Sequence, residues 1–290
     1  MSATPAELLG ARRIVVPANG LDFEVFEAGA GDRLALLLHG FPQHAIVWRG
    51  LIPGLVAKGY RVWAVNQRGY GETTRPLSVD DYRLDKLTDD VAALIDASGA
   101  KSVALIAHDW GGFVSWTFAI RRLRPIERLA VFNIPHPLCY RRAREGWGQK
   151  LRTSYVKLFD LPKIVDWVLS VGGGFLVGLS LRLDTRAGAI GGDAIALYRA
   201  NVSSPGASTA MLNWYRAAGH DLDAAADLDV PIETPTLVIW GDGDKVFGPS
   251  CLEGTERYVK DLRIQRLPGV SHWGPEDAAE KAAELLADFL

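Results

Sequence analysis

Residues 107–112 read A-H-D-W-G-G and follow a strand-like run, S-V-A-L-I (102–106). An apolar strand that stops at small-x-acid-x-Gly and continues as a helix is a nucleophile-elbow pattern. Ala107 and Gly111 supply the small residues that the crowded backbones of such a turn require. The familiar elbow carries serine at its tip, whereas here the tip is Asp109. A serine alkoxide attacks a carbonyl. A carboxylate attacks a saturated, electrophilic carbon and leaves an alkyl ester that must then be hydrolysed. The competing reading makes Asp109 a helix N-cap, a position aspartate favours.

Two further strings follow strand-like runs in the order a triad would need. W-G-D-G-D (240–244) directly continues T-L-V-I-W (236–240). An orienting carboxylate belongs at such a strand end, and Asp244 or Asp242 can provide it, although Asp and Gly also dominate ordinary turns. Asp244 is favoured, with Asp242 left in the turn. G-V-S-H-W (269–273) sets His272 in a loop ahead of a C-terminal helix. A lone loop histidine is usually a surface residue. The order nucleophile, acid, histidine, each after a strand, raises this one. H-G-F-P (39–42) follows the first clear strand. The loop there gives one main-chain N–H to an oxyanion hole and the residue after the nucleophile gives the other, so Phe41 and Trp110 are the candidates. His39, Trp214 and Trp273 are read as pocket lining.

Those positions need a sheet to hold them. L-A-L-L-L (34–38), R-V-W-A-V (61–65), V-A-L-I (103–106), L-A-V-F (129–132), T-L-V-I-W and R-I-Q-R-L (263–267) alternate with helical patterns. Helices are expected at about residues 46–58, from Leu84 to a stop at Gly99, after the elbow, and at about 276–290. Continuously apolar strands separated by helices imply an α/β fold whose mostly parallel sheet is covered on both faces. Residues 135–230, between I-P-H-P (134–137) and D-V-P (229–231), have no clear buried strand. They read as a helical cap, or lid, over the strand C-termini, where ligand sites of such sheets lie. The expected division is a core of 1–134 and 231–290 with a cap of 135–230.

Composition narrows the function classes. Of 290 residues 48% are hydrophobic and 23% charged, with a formal net charge of -2. With pI ≈ 6.3 and no basic block, nucleic acid is not an expected partner. Cys139 and Cys251 are the two cysteines, too few for a disulfide framework or a Cys-based zinc site. The N-terminal M-S-A-T-P-A-E-L-L-G-A-R-R lacks the basic-then-apolar pattern of a secretory signal, so a cytoplasmic location is the default expectation. One stretch, residues 164–181, approaches membrane-spanning length. It carries Asp166, two serines and a glycine triplet at 172–174. It is read as a buried or partner-facing helical pair with a glycine joint, without stable membrane insertion.

Taken together, these strings resemble those of α/β-hydrolase-fold epoxide hydrolases over nearly the whole chain. H-G-F-P, R-G-Y-G (68–71), H-D-W-G-G (108–112), I-P-H-P, L-N-W-Y-R (212–216), W-G-D-x-D and S-H-W carry the resemblance. The most specific is L-N-W-Y-R. In that family its tyrosine, here Tyr215, points into the pocket and donates its hydroxyl proton to the epoxide oxygen. The resemblance implies a second lid tyrosine, and Tyr155 in S-Y-V-K-L-F-D-L-P (154–162) lies where it is expected; a core or surface role for it stays open. Tyr140 and Tyr198 rank lower. The implied reaction takes a small lipophilic epoxide to a vicinal diol through an Asp109 ester, with His272 and Asp244 activating water and no metal or organic cofactor. Gln43 and His44 depart from the family, where an acidic residue is common, and are read as pocket-rim variation. The apolar segment 164–181 is also unusual: it has the character to line a pocket for a bulky substrate or to form a homodimer through the cap.

Haloalkane dehalogenases are the close alternative. They share the aspartate nucleophile and often D-W-G, and they need halide donors such as a Trp after the nucleophile, which Trp110 fits. Phe41 stands where one dehalogenase group often has Asn, and dehalogenases have no use for a lid tyrosine donor. Asn133 is not acidic, which removes the earlier-strand placement of the triad acid and supports Asp244. Trp110 also argues against a fluoroacetate-type member, which carries Arg there. A non-catalytic, ligand-binding hydrolase-fold protein is the third class; such a protein would usually have lost part of its triad.

Overall fold

The computed structural model describes residues 4–161, 163–224 and 228–290. Eight strands form one sheet in the order β1-β2-β4-β3-β5-β6-β7-β8. They are β1 (Arg12–Ala18), β2 (Leu21–Ala28), β3 (Arg33–Leu38), β4 (Arg61–Val65), β5 (Ser102–His108), β6 (Arg128–Phe132), β7 (Thr236–Gly241) and β8 (Leu262–Leu267). β1 and β2 pair antiparallel and β2 runs antiparallel to β4; every other pairing is parallel. The six strands expected from the apolar runs are these parallel ones. β3 to β7 are buried almost throughout, because helices cover both faces and no strand face is left to water.

The N-terminal hairpin was not among the expected elements. Its turn is Asn19-Gly20, with φ of 47° and 73°, the left-handed pair that a two-residue hairpin turn needs. The helix expected at about 46–58 is two pieces, a 3-10 stretch Ala45–Gly50 and a helix Ile52–Ala57. Pro53 sits in the first turn of the second piece, and a proline cannot continue a helix that began several residues earlier.

Between β6 and β7 the described residues form helices and turns and, at Ile232, a single β-bridge to Val259. This helical insertion packs over the carboxyl ends of the strands. Asn201 donates to the Gln43 carbonyl at 2.9 Å, Trp214 Nε1 to that of Arg68 at 3.2 Å, Gln149 to that of Val246 at 2.9 Å and Arg152 to that of Asp244 at 3.0 Å. Its segments are joined to one another by Arg216. That guanidinium pairs with Asp166 at 2.6 Å and donates to the Phe159 carbonyl at 2.8 Å.

Candidate active site

Register places the parts. β3 and β5 pair with Leu38 opposite Ala107, so the loops after these two strands leave the sheet side by side. The first carries H-G-F-P, with a cis Phe41–Pro42 peptide, and the second carries Asp109. Asp109 has φ 49° and ψ −121°, and its side chain makes no capping bond to the helix Trp110–Arg121 that follows. It is instead turned to the β3 loop, where Oδ1 accepts the Phe41 N–H at 2.8 Å. The Trp110 main-chain N–H also faces this carboxylate. Both sequence-derived main-chain donors thus converge on one acid.

Two glycines make this approach feasible. A Cβ on Gly111 would overlap the Leu38 and His39 carbonyls, and one on Gly40 would overlap Asp109 Cβ and Oδ1. Gly40→Ala is therefore expected to push Asp109 off the Phe41 N–H. The expected result is a loss of roughly 10²-fold in kcat, the order associated with one misplaced oxyanion donor. Overpacking should also cost about 1–3 kcal/mol of stability. Steady-state turnover and thermal unfolding check this, and a variant with unchanged kcat would contradict the assigned geometry.

Two more strand ends deliver the charge pair. β6 and β7 align Phe132 with Ile239, which puts Asn133 beside the turn after β7. Asn133 Nδ2 donates to Asp244 Oδ2 at 2.9 Å, while Asp244 Oδ1 accepts the N–H groups of Val246 at 2.6 Å and Phe247 at 2.8 Å. Asp242 pairs with Arg266 at the surface. The loop after β8 is tied to the β7 turn by Gly243 N–H to the Val270 carbonyl at 2.8 Å. It brings His272 Nδ1 to 2.8 Å from Asp244 Oδ2 and Nε2 to 3.6 Å from Asp109 Oδ2. The three groups are buried, with the His272 ring between the two carboxylates.

The charges act on one another. Burial pushes the Asp109 carboxyl up, but the His272 ring and the Trp110 N–H outweigh it and hold the acid below its ordinary range. Burial lowers the His272 pKa, yet Asp244 and Asp109 on its two sides raise it to about 10. His108 lies against His272 with ring centroids 5.0 Å apart, and burial lowers its pKa to about 4, so it adds no charge at neutral pH. Its Nε2 donates to the His272 carbonyl at 2.9 Å, which fixes the loop carrying His272, and its Nδ1 lies 2.8 Å from the Gln43 side-chain amide. Sequence reasoning missed His108 as a positioning residue because its partners are 65 and 164 residues away.

The insertion closes the other side. The Tyr215 ring stands edge-on to Trp110 at 5.0 Å, to Phe41 at 5.2 Å and to Phe159 at 4.8 Å. Burial, with Asp109 and Tyr155 nearby, raises its hydroxyl pKa well above the ordinary phenol value. Tyr155 packs edge-on against the Phe159 ring at 5.7 Å. Although 41% of Tyr155 is exposed, burial of its hydroxyl end, with Asp109 next, raises its pKa as well. Both phenols therefore stay protonated at neutral pH, and both lie near enough to Asp109 to feel its charge. Tyr140 lies between Phe113 and Phe247, and the Tyr198 hydroxyl is committed to Glu276. Tyr70, from R-G-Y-G, is buried against His39 and Trp214, and its hydroxyl has no partner among the described residues.

Some expected roles are redistributed. His39 presents no polar atom to the site, since Nδ1 faces the Gly40 carbonyl and Nε2 accepts the Gln67 N–H, with burial lowering its pKa to about 3. Trp214 lies 6.0 Å from Trp110, and Trp273 packs on His272 at 5.1 Å while donating Nε1–H to Asp184. Gln43 and His44 do not form a pocket rim. Both are buried, Gln43 against His108 and His44 against Asn66 near Glu24, because the loop after β3 turns inward beneath the insertion.

Known proteins resemble this chain in sequence and in fold. Residues 36–279 match the family model for the alpha/beta hydrolase fold. The chain is 33% identical over 277 residues to "AB hydrolase superfamily protein YfhM" of Bacillus subtilis, covering 95% of this chain and 96% of that one. It is 31% identical over 280 residues to "Epoxide hydrolase 4" of Homo sapiens, covering 94% of this chain and 76% of that one. A crystal structure of the Bacillus megaterium epoxide hydrolase in complex with an inhibitor superposes with a TM-score of 0.86 at 26% identity, over 95% of this chain and 99% of that one. With its strand order, its elbow and its relatives in agreement, the chain belongs to the α/β-hydrolase-fold family, among the epoxide hydrolases.

Proposed function

We propose that the protein hydrolyses a small lipophilic epoxide to a vicinal diol through a covalent ester on Asp109. What supports this reading is a buried carboxylate backed by His272 and Asp244, with the Tyr215 ring packed on the Trp110 and Phe41 side chains that flank it and the Tyr155 phenol close enough to feel its charge. An epoxide has a strained ring but a poor leaving group, so ring opening needs a proton donor facing the nucleophile.

In the first step Asp109 Oδ2 bonds to an epoxide carbon as the carbon–oxygen bond breaks, and a tyrosine proton passes to the released oxygen. Ester formation removes the Asp109 charge, so His272 faces one carboxylate instead of two. Its hold on the proton weakens, and that proton returns through solvent to the tyrosinate. Neutral His272, oriented by Asp244, then takes a proton from water. The hydroxide attacks the ester carbonyl, and the tetrahedral oxyanion rests on the Phe41 and Trp110 N–H groups. Collapse expels the diol oxygen, which takes the proton from His272. The new Asp109 carboxyl gives its proton to His272, restoring the resting pair. The helical insertion serves as the cap that excludes bulk water.

The test is a single turnover with excess enzyme and styrene oxide in ¹⁸O-water. The first diol should be unlabelled, with the label in the peptide that carries Asp109. Label in the first-formed diol means direct attack by water and overturns the covalent route.

A further inference from the structure

Residues 164–181 form the helical pair with a glycine joint expected from the sequence, and of the two environments expected for it, buried or partner-facing, burial is not the one the structure shows. The helix Ile164–Asp184 has a mean hydropathy of 1.8 over its most apolar window, yet only 28% of that window is buried. It cannot cross a bilayer as it stands. Gly172, Gly173 and Gly174 have φ of 63°, 62° and 68° and break it into two short pieces. Neither piece approaches the roughly 20 residues a spanning helix needs. The break is held by Arg199, which donates to the Gly172 carbonyl at 3.0 Å and the Gly173 carbonyl at 2.9 Å.

The exposed apolar groups continue beyond this helix. Trp147 is 79% exposed and Trp167 63%, with Leu151, Leu158, Ile164 and Phe175 also open to solvent. Arg216 ties the Phe159 carbonyl to Asp166, so the 3-10 stretch Ser154–Asp160 and the start of the long helix are held together. An apolar surface of this extent marks an interaction site.

Charge identifies what covers it. Residues 141–163 hold seven Lys and Arg against two Asp and Glu, in a chain whose net charge is -2. Lys150, Arg152, Lys157 and Lys163 are exposed among the apolar groups, and Lys150 Nζ lies 5.7 Å from the Trp147 ring centre. Arg142 and Arg152 donate to the carbonyls of Glu253 and Asp244, which leaves their charge in place. Exposed tryptophans beside lysines and arginines, on an apolar helical face too short to span, form the pattern of an element that lies in a lipid interface. A second copy fits less well. A two-fold interface sets a patch against itself and would oppose the same basic groups, whereas an anionic lipid surface complements them.

We infer that this face of the helical insertion docks on an anionic phospholipid bilayer, lying in the interface without crossing it. The test is co-sedimentation of the full chain with vesicles of phosphatidylcholine, alone or with one-third phosphatidylglycerol. Binding to the anionic vesicles should be at least ~10-fold stronger and should weaken at high salt. Trp147→Ser with Trp167→Ser should reduce binding to both compositions. Lys150→Glu, Lys157→Glu and Lys163→Glu together should remove the preference for phosphatidylglycerol and its salt dependence. Far-UV circular dichroism and thermal unfolding confirm that the variants are folded. Two results overturn the inference. One is wild-type protein that ignores anionic vesicles, or binds both compositions equally at every salt. The other is a dimer in sedimentation equilibrium, dissolved by the tryptophan variant, with no vesicle binding.

Discussion

His272→Gln should convert the protein into a stable ester of its own substrate. Ring opening uses Asp109 and the tyrosines, and only the second half-reaction needs a base. The variant should therefore lose about 10⁴-fold in turnover, the upper range for a general base. Its intact mass should rise by one epoxide, with the addition mapping to the peptide that carries Asp109. The experiment is best run above neutral pH. His272 is part of what holds the Asp109 carboxyl below its ordinary range, and without it burial pushes that acid up. Continued multiple turnover with no adduct would remove His272 from the reaction.

The same logic sets the pH dependence of the unaltered protein. Alkylation needs ionised Asp109, whose pKa is depressed, so this step persists as pH falls to the ordinary carboxylate range. Hydrolysis needs neutral His272. Its pKa is raised to about 10 with both carboxylates charged and drops when the ester neutralises Asp109. Falling pH should thus stop deacylation before alkylation, and acid quenching of a slightly acidic reaction should trap more ester than quenching at alkaline pH.

Asp109, Asp244 and His272 were legible because each follows a continuous apolar strand, and the chain order restricts which strand ends meet. The two main-chain donors were legible for the same reason. What escaped depends on long-range packing. His108 and Gln43 have partners supplied by other strand ends, and no local string announces them. Residue type likewise left two environments open for 164–181, buried or partner-facing: hydropathy states a side chain's preference, whereas burial depends on what a neighbour supplies. The N-terminal hairpin did leave a signal, Asn19-Gly20. It was obscured because β1 lies at the sheet edge, largely exposed, and carries Pro17, so it lacks the apolar run that marks the inner strands.

Tyr215→Phe should slow ring opening by about 10²-fold, and Tyr155→Phe with Tyr215→Phe by about 10³-fold or more, as expected for losing donors aimed at a developing oxyanion. The losses should fall on alkylation, seen as a slower burst of ester in His272→Gln carrying the same changes. The neighbourhood of Tyr215 makes this substitution decisive between leaving groups. Its hydroxyl interacts with the Trp110 indole, and its ring rests edge-on against that side chain. In a dehalogenase the indole N–H after the nucleophile would serve a halide, which needs no proton. Removing one hydroxyl would then leave halide release from 1-bromobutane intact or improved. In an epoxide hydrolase the phenol must give up its proton, and its raised pKa makes it a neutral donor throughout the working range. Phenylalanine keeps the ring against Phe41, Trp110 and Phe159, so packing is retained and only the proton is lost. Unchanged diol formation from styrene oxide by the double variant would sink the assignment of both tyrosines. Halide release without diol formation would transfer the chain to the dehalogenases.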